Sequence, residues 1–361
     1  MKRICFFAGN MSDNGGTERM TQLLGNALAQ DGEYEVFVLT KSDQGKPPFF
    51  PLDQKVVYSV LDNGKYYRIF TLIKDVFLLG SFLRRNKIDV LINVDVALGV
   101  FSLPQKILCP KVRQIFWEHF SVHYNGNNPR MSKLRRLALK HGDAYVALTP
   151  QDAQVLRAEN ETCCKTVNIP NICTYAPSDA PYNSSSKTVL SVGALINPKG
   201  FDLALEMAKK VFERHPDWKW EIYGDGSERA KLEEQAKTLG IQDRVRFMGR
   251  SQDLMPAYQN AAIYVLPSRS EGFGLVLLEA QANHLPTVAF DVPYGPRNII
   301  EDGVNGFLVE PYDTDRMAEK LCRLIEDDAL RLRFSQNADK DLPRYSAGQV
   351  VRSWKKLIGE L

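Results

Sequence analysis

The sequence predicts an α/β protein made of two consecutive parallel-sheet domains, and three observations predict it. Short apolar runs rich in β-branched and aromatic residues alternate with helical stripes along the whole chain, the pattern of strands joined by helical crossovers. A length of 361 residues is enough for two domains, each with its own core. Between Ile169-Pro170-Asn171 and Ser184-Ser185-Ser186 the chain turns rich in Pro, Ser, Asn and Asp, reads as a linker, and then restarts on a strand. The expected division is 1–180 and 187–345, with a terminal helix over 346–361.

Composition narrows the class. Hydrophobic residues make up 44% and charged residues 25%, as in ordinary globular proteins, and the formal net charge of +3 is too small to argue for nucleic acid. The six cysteines, Cys5, Cys109, Cys163, Cys164, Cys173 and Cys322, form neither a C-x-x-C pair nor a secreted framework, so reduced thiols in a cytoplasmic protein are expected. No apolar run approaches the roughly 18 residues of a membrane span.

In the first half, Met1-Lys2-Arg3 before Ile4-Cys5-Phe6-Phe7-Ala8 has the look of a secretory leader. The apolar run stops at Gly9-Asn10 after about five residues, short of the roughly 7–15 a leader needs, so it reads as the first strand. Asn14-Gly15-Gly16 is a turn, and Thr17-Glu18-Arg19-Met20 opens a helix with Met20, Leu23, Leu24, Ala27 and Leu28 on one face. Gly15 and Gly16 either permit a tight turn or present helix-start amides to an anion. Val36 to Leu39 is a second strand. Ile69, Leu72, Ile73, Val76, Phe77 and Leu83 form a helical stripe ending at Arg84-Arg85-Asn86-Lys87, and strands follow at Val90–Asn93 and Gln114–Trp117. Glu118-His119 then stands where a carboxyl-end loop of a parallel sheet delivers chemistry, with His123 a second candidate. Arg130 to His141 carries Lys133, Arg136 and Lys140 on one helical face. That face is either solvated or, with Lys65, Arg68, Arg84, Arg85 and Lys87, attracted to anionic lipid at about 1 kcal/mol per well-placed cation.

The second half repeats the pattern. Thr188 to Gly193 is a strand feeding Ala194-Leu195-Ile196-Asn197-Pro198-Lys199-Gly200, where Lys199 before a helix start is placed to neutralise a diphosphate. Glu221 to Gly226 and Val245 to Gly249 are further strand-to-turn units. Ala261 to Leu266 is a strand, Ser268 to Gly274 a glycine-bearing turn, and Leu275 onward a helix, so Glu271 precedes the helix and Glu279 lies about two turns inside it. Two carboxylates are poor phosphate ligands and good polyol ligands; either could instead be a solvated helix charge. Thr287 to Asp291 leads into the turn Val292 to Asn298, and Asp313-Thr314-Asp315 reads as a helix cap rather than a metal ligand.

Glu271 to Glu279 resembles the E-x7-E motif of the retaining glycosyltransferases of family 4. The resemblance covers nearly the whole chain and implies a GT-B fold: two Rossmann-like domains facing a central cleft, the last helix crossing back to the first domain. It implies that Glu271 contacts the donor sugar, that the backbone of Gly272, Phe273, Gly274, Leu275 and Val276 cradles sugar and phosphate, and that Glu279 binds ribose hydroxyls. The Met248-Gly249 loop would hold the base. Gly15 and Gly16 would face donor phosphates and acceptor, and His119 would hydrogen-bond the transferred sugar, with Glu118 orienting it or the acceptor. Lys199 matches the lysine that grips the diphosphate, but Ala194 stands where relatives carry an arginine; Arg269 in the opposing loop is the candidate replacement.

So read, the chain moves a hexosyl or N-acetylhexosaminyl unit, with retention of configuration and without a metal or other cofactor, from a UDP-sugar to a glycan or lipid-linked saccharide. The resemblance to enzymes of bacterial surface-glycan assembly adds an anionic inner-membrane surface as a further partner. A nucleotide-sugar epimerase of the same architecture and a non-catalytic sugar-nucleotide scaffold are the rival expectations.

Overall fold

The computed structural model describes residues 1–62, 69–122, 128–159 and 164–361. Lys65, Arg68, His123 and Cys163 lie outside the described residues, as do the side chains of Ile69 and Phe70. The chain divides into two compact units, Met1–Ile172 with Ala347–Leu361, and Cys173–Ser346.

The first unit runs β1 (Lys2–Ala8), α1 (Gly16–Asp31), β2 (Tyr34–Thr40), β3 (Val56–Val60), α2 (Ile69–Arg85), β4 (Val90–Asn93), α3 (Gly99–Ser102), α4 (Gln105–Leu108), β5 (Arg113–Trp117), α5 (Pro129–His141), β6 (Ala144–Ala147), α6 (Pro150–Glu159) and β7 (Lys165–Asn168). Its seven strands are parallel, in the order β3-β2-β1-β4-β5-β6-β7. A parallel sheet needs cover on both faces, which explains why Ile4 to Phe7 are fully buried rather than alternating. Each such side chain contributes about 1.5–3 kcal/mol. Right-handed crossovers put α1 on one face and α2 to α6 on the other, because the order reverses direction after β3.

The second unit runs β8 (Thr188–Val192), α7 (Phe201–Arg214), β9 (Lys219–Tyr223), α8 (Arg229–Thr238), β10 (Val245–Gly249), α9 (Met255–Asn260), β11 (Ile263–Leu266), α10 (Leu275–Ala282), β12 (Thr287–Phe290), β13 (Gly306–Val309), α11 (Thr314–Glu326) and α12 (Asp328–Asn337). Its six parallel strands take the order β10-β9-β8-β11-β12-β13. The chain then returns to the first unit as α13 (Ala347–Gly359), which packs on α1 and sets Trp354 against Trp117 at 5.0 Å.

Two expectations change. The Pro- and Ser-rich stretch expected as a linker belongs to the second unit: the Tyr182 hydroxyl donates to the Ala262 carbonyl at 2.8 Å, and Ser186 Oγ to the Asn260 carbonyl at 2.7 Å. The helical stripe of α2 also differs: Leu79 and Leu83 join the core, while Ile73 and Phe77 stay 52% and 58% exposed. Helical spacing fixes which residues share a face, not which face meets the sheet. No described helix is long and apolar enough to cross a membrane.

Candidate functional site

In the second unit the strand order reverses direction between β8 and β11, and ligands of open parallel sheets bind outside the carboxyl ends of the strands at such a point. The two loops leaving these strands are clamped together. The Arg269 amide donates to the Pro198 carbonyl at 2.8 Å. Gly200 adopts a left-handed φ of +66°, and a Cβ there would lie 2.0 Å from the Pro267 carbonyl oxygen, so only glycine allows this approach.

That clamp brings Lys199 to Glu271. Lys199 Nζ donates to Glu271 Oε1 at 2.7 Å, and Ser268 Oγ donates to the same oxygen at 2.6 Å. Glu271 is buried while the lysine side chain is 27% exposed, so the pair opens to solvent on the ammonium side. Next to it, Gly274 takes φ of +94° as the N-cap of α10, and no side chain caps that helix start. The first amides of α10, at Leu275 and Val276, therefore keep the partial positive charge that suits an anion. Phe273 is buried and meets Tyr345 edge-on at 5.7 Å, which holds the Gly272–Gly274 turn. Gly295 backs the same turn, since a Cβ there would lie 2.8 Å from Glu271 Cβ.

Glu279 points its Oε2 at the hydroxyl of Tyr258, a fully buried side chain 2.7 Å away. On the other flank, the Gly224 amide donates to the Gly249 carbonyl at 2.8 Å, bringing the Met248-Gly249 turn beside the loops of β8 and β9, with Met248 44% exposed. Lys199, Glu271 and the Gly272–Val276 turn, with Glu279 in the second turn of α10 and Met248-Gly249 at the end of β10, thus all lie toward one end of one sheet.

Arg269 is a correction. Its guanidinium is held fork to fork by Asp202, at 2.6 Å for both contacts, and also donates to the Asn197 carbonyl at 3.0 Å. It braces α7 to the Glu271 loop and does not stand in for the arginine absent at Ala194, whose side chain is exposed.

The first unit gathers Gly15, Gly16, Glu118 and His119 at the carboxyl ends of its own strands. Gly15 is the N-cap of α1, and the Glu18 carboxyl folds back so closely that a Cβ on Gly15 would lie 2.4 Å from Glu18 Oε2. Burial, reinforced by Asp13 and Asp95, pushes the Glu18 carboxyl up to about 7. His119 is buried with its ring 4.3 Å from the Trp117 ring, and its Nε2 has no hydrogen-bond partner among the described residues. Burial depresses its pKa to about 3, which keeps the imidazole neutral.

Glu118 is the second correction. Its carboxylate accepts from the Tyr145 hydroxyl at 2.8 Å and lies 3.6 Å from Arg135 Nε, so it ties the strand end to β6 and α5 rather than orienting His119. Burial and Asp95 raise it to about 7 against the opposing pull of Arg135. Asp95, Ser268 and Tyr258 were missed in the sequence. Asp95 accepts the Ala97 amide at 2.8 Å just past β4, beside the reversal point of the first sheet, and its position after the apolar strand Val90–Asn93 was the available signal.

Residues 14–172 match the family described as Glycosyltransferase Family 4, and residues 177–341 match Glycosyl transferases group 1. An uncharacterized glycosyltransferase of Haemophilus influenzae is 34% identical over 99% of this chain and 100% of its own. The α-1,4-N-acetyl-D-galactosaminyltransferase of Campylobacter jejuni, named for a diNAcBac-PP-undecaprenol-linked substrate, is 28% identical over 100% of this chain and 99% of its own. Anabaena HepE, solved in complex with UDP-glucose, superposes with a TM-score of 0.81 at 18% identity, covering 99% of this chain and 100% of that one. Two Rossmann-like units, the returning helix and these matches agree, and the chain belongs to the family 4, group 1 glycosyltransferases, enzymes of the GT-B fold.

Proposed function

We propose that the enzyme transfers a hexosyl or N-acetylhexosaminyl unit from a UDP-sugar to a lipid-linked or free glycan acceptor, with retention of configuration and without a metal. The carrying observation is the meeting of Lys199, Ser268 and Glu271 beside the uncapped start of α10. An ammonium and two helix amides form an electropositive seat for a leaving diphosphate, and a carboxylate next to it suits a sugar hydroxyl.

In this reading the incoming diphosphate takes Lys199 from Glu271, which frees Glu271 for the donor sugar. Charge growing on the leaving phosphate is stabilised by Lys199 and the amides of Leu275 and Val276. Glu279, steadied by Tyr258, takes the ribose hydroxyls, and Met248-Gly249 borders the base. Neutral His119 serves as a hydrogen-bonding group at the sugar rather than as a charged acid, because burial holds it unprotonated at neutral pH. The UDP preference is supported by the UDP-glucose of the HepE complex, and the acceptor class by the undecaprenol-linked substrate for which the Campylobacter enzyme is named.

Thermal shift with UDP-, GDP- and ADP-sugars in EDTA tests the donor, since a ligand of the native state raises apparent stability by mass action. Stabilisation by one UDP-hexose, lost in Lys199→Ala, supports the reading, and proton NMR of the product reads the anomeric configuration. Binding that requires a divalent ion, or a product of inverted configuration, sinks it. Binding without any transfer would favour the scaffold alternative, for which the exposed Ala194 speaks.

A further inference from the structure

The loop that carries His119 is buried, which a connecting loop seldom is, because its backbone polar groups then need partners inside the protein. Glu118, His119, Ser121 and Val122 are all buried, and only Phe120 among them is exposed. The start of the loop is held by the Tyr145 hydroxyl and the Phe120 backbone, both on the Glu118 carboxyl. Its end is held by charges. Arg135 on α5 donates from Nη1 to the Val122 carbonyl at 3.2 Å, and Asp152 on α6 accepts the Val122 amide on Oδ1 at 3.0 Å. Both side chains are only 2% exposed. Asp152 is itself fixed, since its Oδ2 accepts from the Thr149 hydroxyl at 2.7 Å and its own amide donates back to that hydroxyl at 3.1 Å. Arg135 reaches both ends of the loop, with its Nε 3.6 Å from the Glu118 carboxylate.

Burying a charge is costly unless it is well hydrogen-bonded. Here a guanidinium and a carboxylate from two different helices are committed to the carbonyl and the amide of one residue. A neutral side chain or a water would satisfy those two groups, whereas charge-assisted bonds are shorter and stronger and hold a position more tightly. The residue so held in place is His119, which stands between the anchors at Glu118 and Val122. Transfer chemistry is sensitive to displacements of about 1 Å in a group that must meet the substrate. A buried arginine alone is no sign of such a role. Arg331 on α12, 3% exposed, binds the carbonyls of Leu324, Ile325 and Ser184, none of them in the candidate site.

We propose that Arg135 and Asp152 are positioning residues for the transfer reaction, gripping Val122 by its carbonyl and its amide so that the His119 imidazole is held buried and in place. The proposal rests on the use of His119 at the sugar, and both residues act through the loop.

The test compares Asp152→Ala, Asp152→Asn and Arg135→Met with Arg331→Met as the control. The first readout is the His119 imidazole, followed by NMR of enzyme labelled on histidine, its signal among the five histidines assigned with His119→Asn. The charged and titratable groups on the elements around this loop are Glu118, Asp95, Tyr145, Arg135 and Asp152, and burial holds the imidazole neutral. The wild-type signal should show no titration between about pH 5 and 8. Asp152→Ala and Arg135→Met should bring its midpoint into that window, because the loosened ring meets water. In both, kcat should fall at least about tenfold with the donor KM within about twofold. Asp152→Asn keeps the acceptor for the Val122 amide and should stay within about threefold of wild type. Arg331→Met should lower the melting temperature and leave the titration and kcat unchanged. A His119 signal that behaves alike in wild type and in folded Asp152→Ala and Arg135→Met overturns the proposal, whatever the rates. Should those variants fail to fold, hydrogen exchange in the wild type decides. The Val122 amide should exchange as slowly as the amides of β6, and exchange as fast as that of an exposed loop overturns the proposal. Full transfer by His119→Asn would overturn the proposed use of His119, a failure separable from that of the clamp, which the titration reads.

Discussion

Lys199 and Glu271, 72 residues apart, are joined by a 2.7 Å ion pair, and Ser268 donates to the same carboxylate oxygen. In the proposed reaction the lysine passes from this carboxylate to the donor diphosphate, so both side chains bear on the same step. Lys199→Ala should lower kcat/KM by about a hundred- to a thousandfold, the range for removing one donor to a developing anion. Glu271→Gln should cost a comparable amount. Because the two side chains share one contact, the double variant should lose less than the product of the singles, as read from a double-mutant cycle of kcat/KM. Full multiplicativity would mean the pair is incidental.

Tyr258 touches Glu279 and is fully buried on α9, so it acts through that carboxylate. Tyr258→Phe keeps the ring and removes the hydroxyl. The donor KM should rise at least tenfold, from the loss of about 1.5–3 kcal/mol at a charge-assisted hydrogen bond, with kcat little changed. The effect should shrink with a donor lacking the ribose 2′-hydroxyl. An unchanged KM would show that Glu279 needs no such support.

Backbone strain gives a stability contrast between two glycines. At Gly200 the φ of +66° and the closeness of the Pro267 oxygen both oppose a side chain, whereas Gly348 near the start of α13 faces open space. Gly200→Ala should destabilise by at least about 1–3 kcal/mol, seen as a lower urea midpoint, and should slow transfer because the loop carries Lys199. Gly348→Ala should be neutral or stabilising, by up to about 1 kcal/mol. A Gly200→Ala midpoint equal to wild type would contradict the clamp.

Glu118 and His119 are adjacent yet have opposite pH linkages. Glu118 is raised to about 7 from its ordinary 4.5, so the folded state binds more protons than the unfolded one in that window and its contribution to stability falls as pH rises through it. His119 is lowered to about 3 from 6.5, so the unfolded state binds more protons and its contribution rises with pH between those values. Relative to wild type, Glu118→Gln should therefore gain melting temperature as pH climbs from 4.5 to 7. His119→Asn should show the reverse between pH 3 and 6.5, where the rising term is gone. Flat difference curves would mean that neither group is held as the structure holds it.

The sequence by itself determined the strand–turn–helix units and the local position of each site residue within them. Buried strands such as Ile4–Phe7 and Ile263–Leu266 announce themselves as apolar runs because both their faces are covered. The cap at Asp313 was equally legible, its carboxylate accepting the Arg316 amide at 2.8 Å, because capping is settled within one helical turn. Strands β3, β7 and β13 were not legible: each lies at a sheet edge, and β3 and β7 are partly exposed, which blurs their pattern. Only the tertiary structure decided partnerships over long separations. It put Arg269 on Asp202 rather than at a phosphate, and Glu118 on Tyr145 and Arg135 rather than beneath His119. It also turned Phe77 outward and Leu79 inward on the same helix. Local spacing fixes a side chain's direction relative to its own backbone, but which neighbour satisfies its charge or covers its apolar surface depends on how the strands are ordered.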